Sequence, residues 1–353
     1  MTRPEIKGQR PGFMPEWRSF VERRRSSQGR VGAAVRARRG WALSERDGEP
    51  AQESAAARAE SGRRRFVAIL LMCGAVFCFA CLDASAKWAN QIVDPMLTTW
   101  FRYTANVAIL AVVLNSWTRP RILRTNRFAL QIGRSVLLFL STVLNFLALQ
   151  HLQLAQNISI QFAMPLLVAL LAGPMLGEWA GPRRLVAIVI GFCGVLVVAR
   201  PGGDALHPAA LLTVINTVFY ALYAIFTRML AAHDSTATTL TYSGLAGMLF
   251  LTPALPFIWT TPPSLLVWAV LIATGLFAAV GHGFLTLAHA RAPAPVLSPF
   301  IYTQIVWMVL FGYVIFGDVP DRWTLIGGAI VIGSGLYLLV WERFARGRER
   351  RPT

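Results

Sequence analysis

From Phe66 to Trp341 the chain repeats one unit ten times, an apolar run of about 20 residues followed by a short break. A helix rises about 1.5 Å per residue, so such a run matches the roughly 30 Å of hydrocarbon in a bilayer. The runs lie at 66–88, 96–116, 128–150, 155–176, 183–199, 208–230, 236–258, 264–287, 294–316 and 323–341. This pattern predicts an all-α integral membrane protein of ten transmembrane helices, because lipid leaves no partner for unpaired backbone polar groups.

Charge supports that reading. Only 14% of residues are charged against 55% apolar, and of 34 Lys and Arg residues 16 lie in 1–65 and five in 343–353. A soluble chain of this size needs charge spread over its whole surface. The net charge of +17 does not mark a nucleic-acid binder, because the excess sits in the tails and in alternate loops between apolar runs. "WTRPRILRTNR" carries four arginines on one side, together with Arg63–Arg65, Arg183, Arg184, Arg228, Arg291 and the C-terminal "ERFARGRERR". The loops of the other side hold two arginines in all. Basic loops stay in the cytoplasm. The expectation is therefore a multi-pass protein of the inner cell membrane with both termini cytoplasmic. Residues 1–62 read as a disordered, arginine-rich cytoplasmic tail and 342–353 as a second basic tail. Cys73, Cys78, Cys81 and Cys193 lie in apolar runs without metal-ligand spacing and read as packing residues.

The two halves, 66–201 and 207–341, resemble each other at a spacing near 140 residues. "PMLGEWAGPRRLVAIVIGFCGVLVV" at 174–198 aligns with "YVIFGDVPDRWTLIGGAIVIGSGLYLL" at 313–339, which sets Glu178 opposite Asp318; Lys87 likewise falls opposite Arg228. Five helices per half force the second copy to enter the membrane upside down. The outcome is a pair of inverted repeats around a central cavity, the plan of secondary transporters.

The segments "LDASAKWANQ", "WFRYTANVAIL", "LALQHLQLAQNISIQFAMPLLVALLAGPMLGEWAGPRRLVAIVIGFCGVLVVARPGG" and "SPFIYTQIVWMVLFGYVIFGDVPDRWTLIGGAIVIGSGLYLL" resemble the drug/metabolite transporter superfamily, EamA type. The resemblance implies that runs 1–4 and 6–9 surround the cavity while runs 5 and 10 are peripheral, and that the cargo is a small metabolite; similar chains are described as carrying riboflavin, S-adenosylmethionine or amino acids. Two positions depart from strict symmetry: Asp318 replaces the usual glutamate, and Ile305 stands opposite Pro165.

Polar side chains at membrane depth are functional candidates. Asp83 and Lys87 share a helix face at i and i+4 and are expected to pair or to meet substrate. Arg102, roughly 10 Å past Pro95, suits an anionic group or Asp83, and at that depth it can also snorkel to anchor the helix at the interface. Asn145, Gln161, Tyr220, His282, Tyr302 and Gln304 complete the expected substrate-binding set. Pro165 is expected to break the fourth helix. Trp100, Trp259, Trp268 and Trp323 read as an interfacial belt, and Gly191, Gly194, Gly327, Gly328 and Gly335 as helix-packing positions. No cofactor or metal motif is present, and no nucleotide-binding sequence. The expected partners are a small-molecule substrate, the bilayer, protons as coupling ion through Asp83 and His282, and a second copy in a homodimer; nucleic acid is not among them. The competing class is a polytopic membrane enzyme or signalling component, which would need a catalytic cluster or a soluble output domain.

Overall fold

The computed structural model describes residues 55–113, 124–179, 181–200 and 208–349, so most of the expected N-terminal tail and residues 350–353 lie outside the described residues. Residues 60–353 pack as one unit, and of 1–59 only the helical turns from Ala55 are described. The first span, α1 (Ala55–Ala89), takes in residues 55–62 that the sequence reading assigned to the tail. There follow α2 (Pro95–Val113), α3 (Phe128–Leu149), α4 (Leu154–Gln161) with α5 (Met164–Leu176), and α6 (Pro182–Ala199). The second half comprises α7 (Ala209–Leu230), α8 (Thr236–Leu251) with the short α9 (Leu255–Ile258), α10 (Leu265–Arg291), α11 (Ala294–Ile301) with α12 (Gln304–Phe316), and α13 (Arg322–Glu349). Among the described residues nine spans are long and apolar enough to cross a membrane, and Arg322–Leu338 supplies a shorter tenth.

Breaks interrupt the fourth and ninth spans at equivalent places, after Gln161 and after Ile301. Pro165 accounts for part of the first, since it has no N–H for the carbonyl four residues back. The second break occurs with Ile305 in that position. There the amides of Thr303, Ile305 and Val306 bond three residues back, to Phe300, Tyr302 and Thr303. The break therefore belongs to the repeat rather than to the proline. Both spans then end on a left-handed glycine, Gly177 at φ 74° and Gly317 at φ 70°, a conformation that costs other residues free energy. After each glycine the chain folds back, the amide of Glu178 onto the Ala172 carbonyl and that of Asp318 onto the Gly312 carbonyl.

The closest helix packing joins opposite halves: α3 with α7, α6 with α13, and α2 with both α10 and α8. The α6–α13 contact needs glycine. A methyl group on Gly194 would lie 2.9 Å from the Gly327 carbonyl oxygen, and one on Gly327 would lie 2.6 Å from that of Gly194. Small residues let backbones approach in lipid, where neighbouring helices gain little from hydrophobic burial. Outward faces carry aliphatic side chains such as Leu70, Val186, Val189, Leu249 and Ile326, as a lipid-facing surface requires.

Candidate functional site

Each left-handed glycine presents an acid at one end of the bundle, and each acid meets a base from the other half. Lys87, in the last turn of α1, donates to Asp318 Oδ2 at 2.6 Å and to the Leu152 carbonyl at 3.0 Å, and its Nζ lies 4.7 Å from the centre of the Phe316 ring. Arg228, in the last turn of α7, holds Glu178 with two parallel bonds of 2.9 and 2.7 Å. The sequence reading placed Lys87 with Asp83, its neighbour one turn away. The lysine turns instead to Asp318, whose carboxylate comes with a backbone acceptor and an aromatic face. The two pairs exchange under the repeat but differ in setting. Side-chain exposure is 8% and 24% for Lys87–Asp318, against 58% and 48% for Arg228–Glu178.

Asp83 stays buried and accepts from Asn145 Nδ2 at 3.0 Å. Asn145 Oδ1 in turn accepts from Asn157 at 2.9 Å and from Gln161 at 2.8 Å, and Thr213 donates to Asn157 Oδ1 at 2.8 Å. The first break thus gathers a chain of amides around one carboxylate, crossing from α1 through α3 and α4 to α7. A buried polar group retains its place only when its partners are supplied, and here they supply one another.

A cavity of about 490 Å³ lies between α2, α8 and α10, with Leu138 and Tyr223 in its wall. It runs from Arg102 and His282 toward Val113, Thr236 and Leu287, the end of the bundle that carries the arginine-rich loops. At the opposite end the same three spans are pinned by aromatic rings: Phe101 stacks edge-on to Trp268 at 5.5 Å and to Trp100 at 5.1 Å, and Trp259 lies 6.3 Å from Trp268. Three of the four tryptophans expected as a belt belong to this aromatic cluster.

Arg102 and His282 line the cavity. Tyr220 sits behind its wall, stacked on Tyr223 at 5.4 Å. Asp83, Asn145 and Gln161 share the amide network, while Lys87 belongs to the far-end ion pair. Gln304 is buried at the start of α12. Tyr302 packs edge-on against Phe162 at 5.0 Å, and a methyl group on Gly335 would lie 1.9 Å from its hydroxyl, so its ring faces α13.

Arg134 escaped the sequence reading. It is 2% exposed and donates to Thr227 (2.7 Å), Tyr223 (2.7 Å), Ser243 (2.5 Å) and the Thr239 carbonyl (3.1 Å). A charged residue inside the run 128–150 was signal enough, since intramembrane charge is rare. Its resemblance to the many loop arginines hid it.

A family model described as the EamA-like transporter family matches residues 66–200 and again 207–341. The chain belongs to this family. As an EamA-like protein it is 30% identical over 289 residues to the riboflavin transporter of Vibrio cholerae, covering 80% of this chain and 95% of that one. The riboflavin transporter of Brucella anthropi is 28% identical (76% and 96% covered), and the S-adenosylmethionine uptake transporter of Rickettsia conorii 26% (76% and 90%). A solved crystal structure shares the EamA-like fold with a TM-score of 0.57 at 20% identity, over 78% of this chain and 98% of that chain.

Proposed function

We propose that this EamA-like protein is a secondary carrier of a small organic metabolite, working by alternating access between its inverted halves. The observation that carries the reading is the cavity, which extends from Arg102 and His282 to the exposed Val113, Thr236 and Leu287 at the arginine-rich end, while the aromatic cluster and the partly buried Lys87–Asp318 pair lie at the other end of the bundle. In an inverted repeat the two halves can exchange conformations. The exchange would bury Arg228–Glu178, expose Lys87–Asp318 and turn the cavity to the opposite side. The arginine-rich end is read as cytoplasmic in an inner-membrane protein with both termini inside. The relatives named for riboflavin and S-adenosylmethionine support a cargo of that size class. Protons are the proposed coupling ion, with Asp83 and His282 as the titratable groups.

Purified protein in lipid vesicles is expected to show saturable uptake and counterflow of at least one flavin- or nucleoside-sized metabolite. Asp83→Asn and Arg102→Gln should each reduce it about tenfold or more, as loss of a charged contact implies. Linear, non-saturating flux would make the protein a channel, and normal rates in both variants would remove these residues from the site. Transport indifferent to an imposed pH gradient would end the proton reading. Cysteines at positions 120 and 260 are expected to react with an impermeant thiol reagent from opposite sides of the membrane. Reaction of both from one side would defeat the inverted topology.

A further inference from the structure

The carrier reading leaves the charge of the cargo open, and the cavity wall bears on it. We propose that the site binds an organic anion, an oxyanion head such as a carboxylate or phosphate on a largely apolar body, with Arg102 as its direct partner and Arg134 as a second positive charge behind the wall. The inference rests on the carrier reading for the role of the cavity and adds the sign of its cargo.

Arg102 is 7% exposed, lines the cavity and lies 4.7 Å from the centre of the Tyr103 ring. Its Nε is buried with no hydrogen-bond partner. Arg102 follows directly on Trp100 and Phe101, whose rings join the aromatic cluster at the end away from the arginine-rich loops, yet its own side chain stays buried beside the cavity. Arg134 directs its donors to three hydroxyls and a carbonyl, all neutral acceptors. Lys87, Arg200 and Arg228 hold ion pairs, whereas among the described residues neither Arg102 nor Arg134 has one.

The groups that face this pair are few. Asp83 lies within Coulombic reach of Arg102 and is the one carboxylate there among the described residues; Tyr103, Tyr220, Tyr223 and His282 are the other titratable neighbours. Two guanidinium groups against one carboxylate give the site's own residues a positive surplus inside the membrane. An uncompensated buried charge is costly, and an anion entering the cavity would relieve it. Guanidinium is suited to planar oxyanions, which it can hold through two parallel N–H bonds. The rest of the wall is chiefly aliphatic, with Ile109, Leu110, Leu240 and Val280, so the body attached to the head should be apolar. The volume falls within the range of sites for metabolite-sized ligands.

The test is thermal unfolding of the full chain in phosphatidylcholine nanodiscs, against triplets of aromatic probes that differ only in a carboxylate, an amide or an ammonium group, such as indole-3-acetate, indole-3-acetamide and tryptamine. At least one carboxylate is expected to stabilise the protein about tenfold more strongly, by apparent affinity, than its amide or ammonium partner. Arg102→Gln should abolish the difference, Arg102→Lys should retain part of it, and unchanged elution on gel filtration shows that each variant is folded. Equal stabilisation by acid and amide, preference for the ammonium, or stabilisation by no member of the set would overturn the proposal. Stabilisation by phosphatidylglycerol nanodiscs that vanishes in Arg102→Gln would overturn it too, assigning the site to a lipid headgroup. Binding is read without transport, so a failed counterflow assay with a clear carboxylate preference would sink the carrier reading alone.

Discussion

Asp318→Ala is expected to lower folding stability by about 3 kcal/mol, whereas Glu178→Ala, its counterpart in the other half, should cost less than about 1 kcal/mol. The two acids occupy the same place in the repeat, after the left-handed glycines Gly177 and Gly317, and both bind a base from the opposite half. Burial separates them. Lys87 is 8% exposed, so removing its carboxylate strands an ammonium with only the Leu152 carbonyl and the Phe316 face. Arg228 is 58% exposed, and water replaces Glu178 at little cost. Denaturation in mixed micelles, followed by helical circular dichroism, reads the difference. Lys87→Met combined with Asp318→Leu should recover most of the loss, because the expense lies in the unpaired charge rather than in the missing bond. Equal small effects at both acids would mean that Lys87 is satisfied without Asp318.

That pair also marks how far the sequence could be read. The spans were legible because a bilayer forces every backbone group into a helix and every helix to a similar length. The expected run 128–150 and the observed Phe128–Leu149 differ by a single residue. Partners were less legible. Asp83 and Lys87 looked like a pair because four residues on a helix bring side chains together, yet Lys87 found its acid 231 residues away. The repeat held the missing information: Lys87 aligns with Arg228 and Glu178 with Asp318, so a cross-half contact made once recurs at the other end. The direction of a ring was beyond reach. Tyr302 was expected in the cavity by its polarity, but Gly335 leaves the room on α13 that its hydroxyl occupies.

The single methyl group added by Gly327→Ala is expected to do marked harm. It would sit 2.6 Å from the Gly194 carbonyl oxygen, 2.6 Å from a Val198 methyl group and 2.9 Å from the Val198 amide. Two of these three neighbours are backbone atoms, which cannot turn aside as a side chain end can. Either α6 and α13 move apart along their contact or the strain remains, and overpacking of this kind costs about 1–3 kcal/mol. Six residues on, Gly333 has no neighbour within 4 Å of such a methyl. Gly333→Ala should therefore be neutral or slightly stabilising, since alanine is the better helix former by up to about 1 kcal/mol. The comparison keeps the chemical change and the helix constant and varies only what the new carbon meets. Size-exclusion profiles of detergent extracts after graded heating would measure both, with aggregation of Gly327→Ala several degrees below the parent. The contact joins the last span of one half to the last span of the other, so its loosening should also slow any exchange between the halves. Matching melting curves for the two variants would show that the backbones of α6 and α13 do not meet at Gly194 and Gly327.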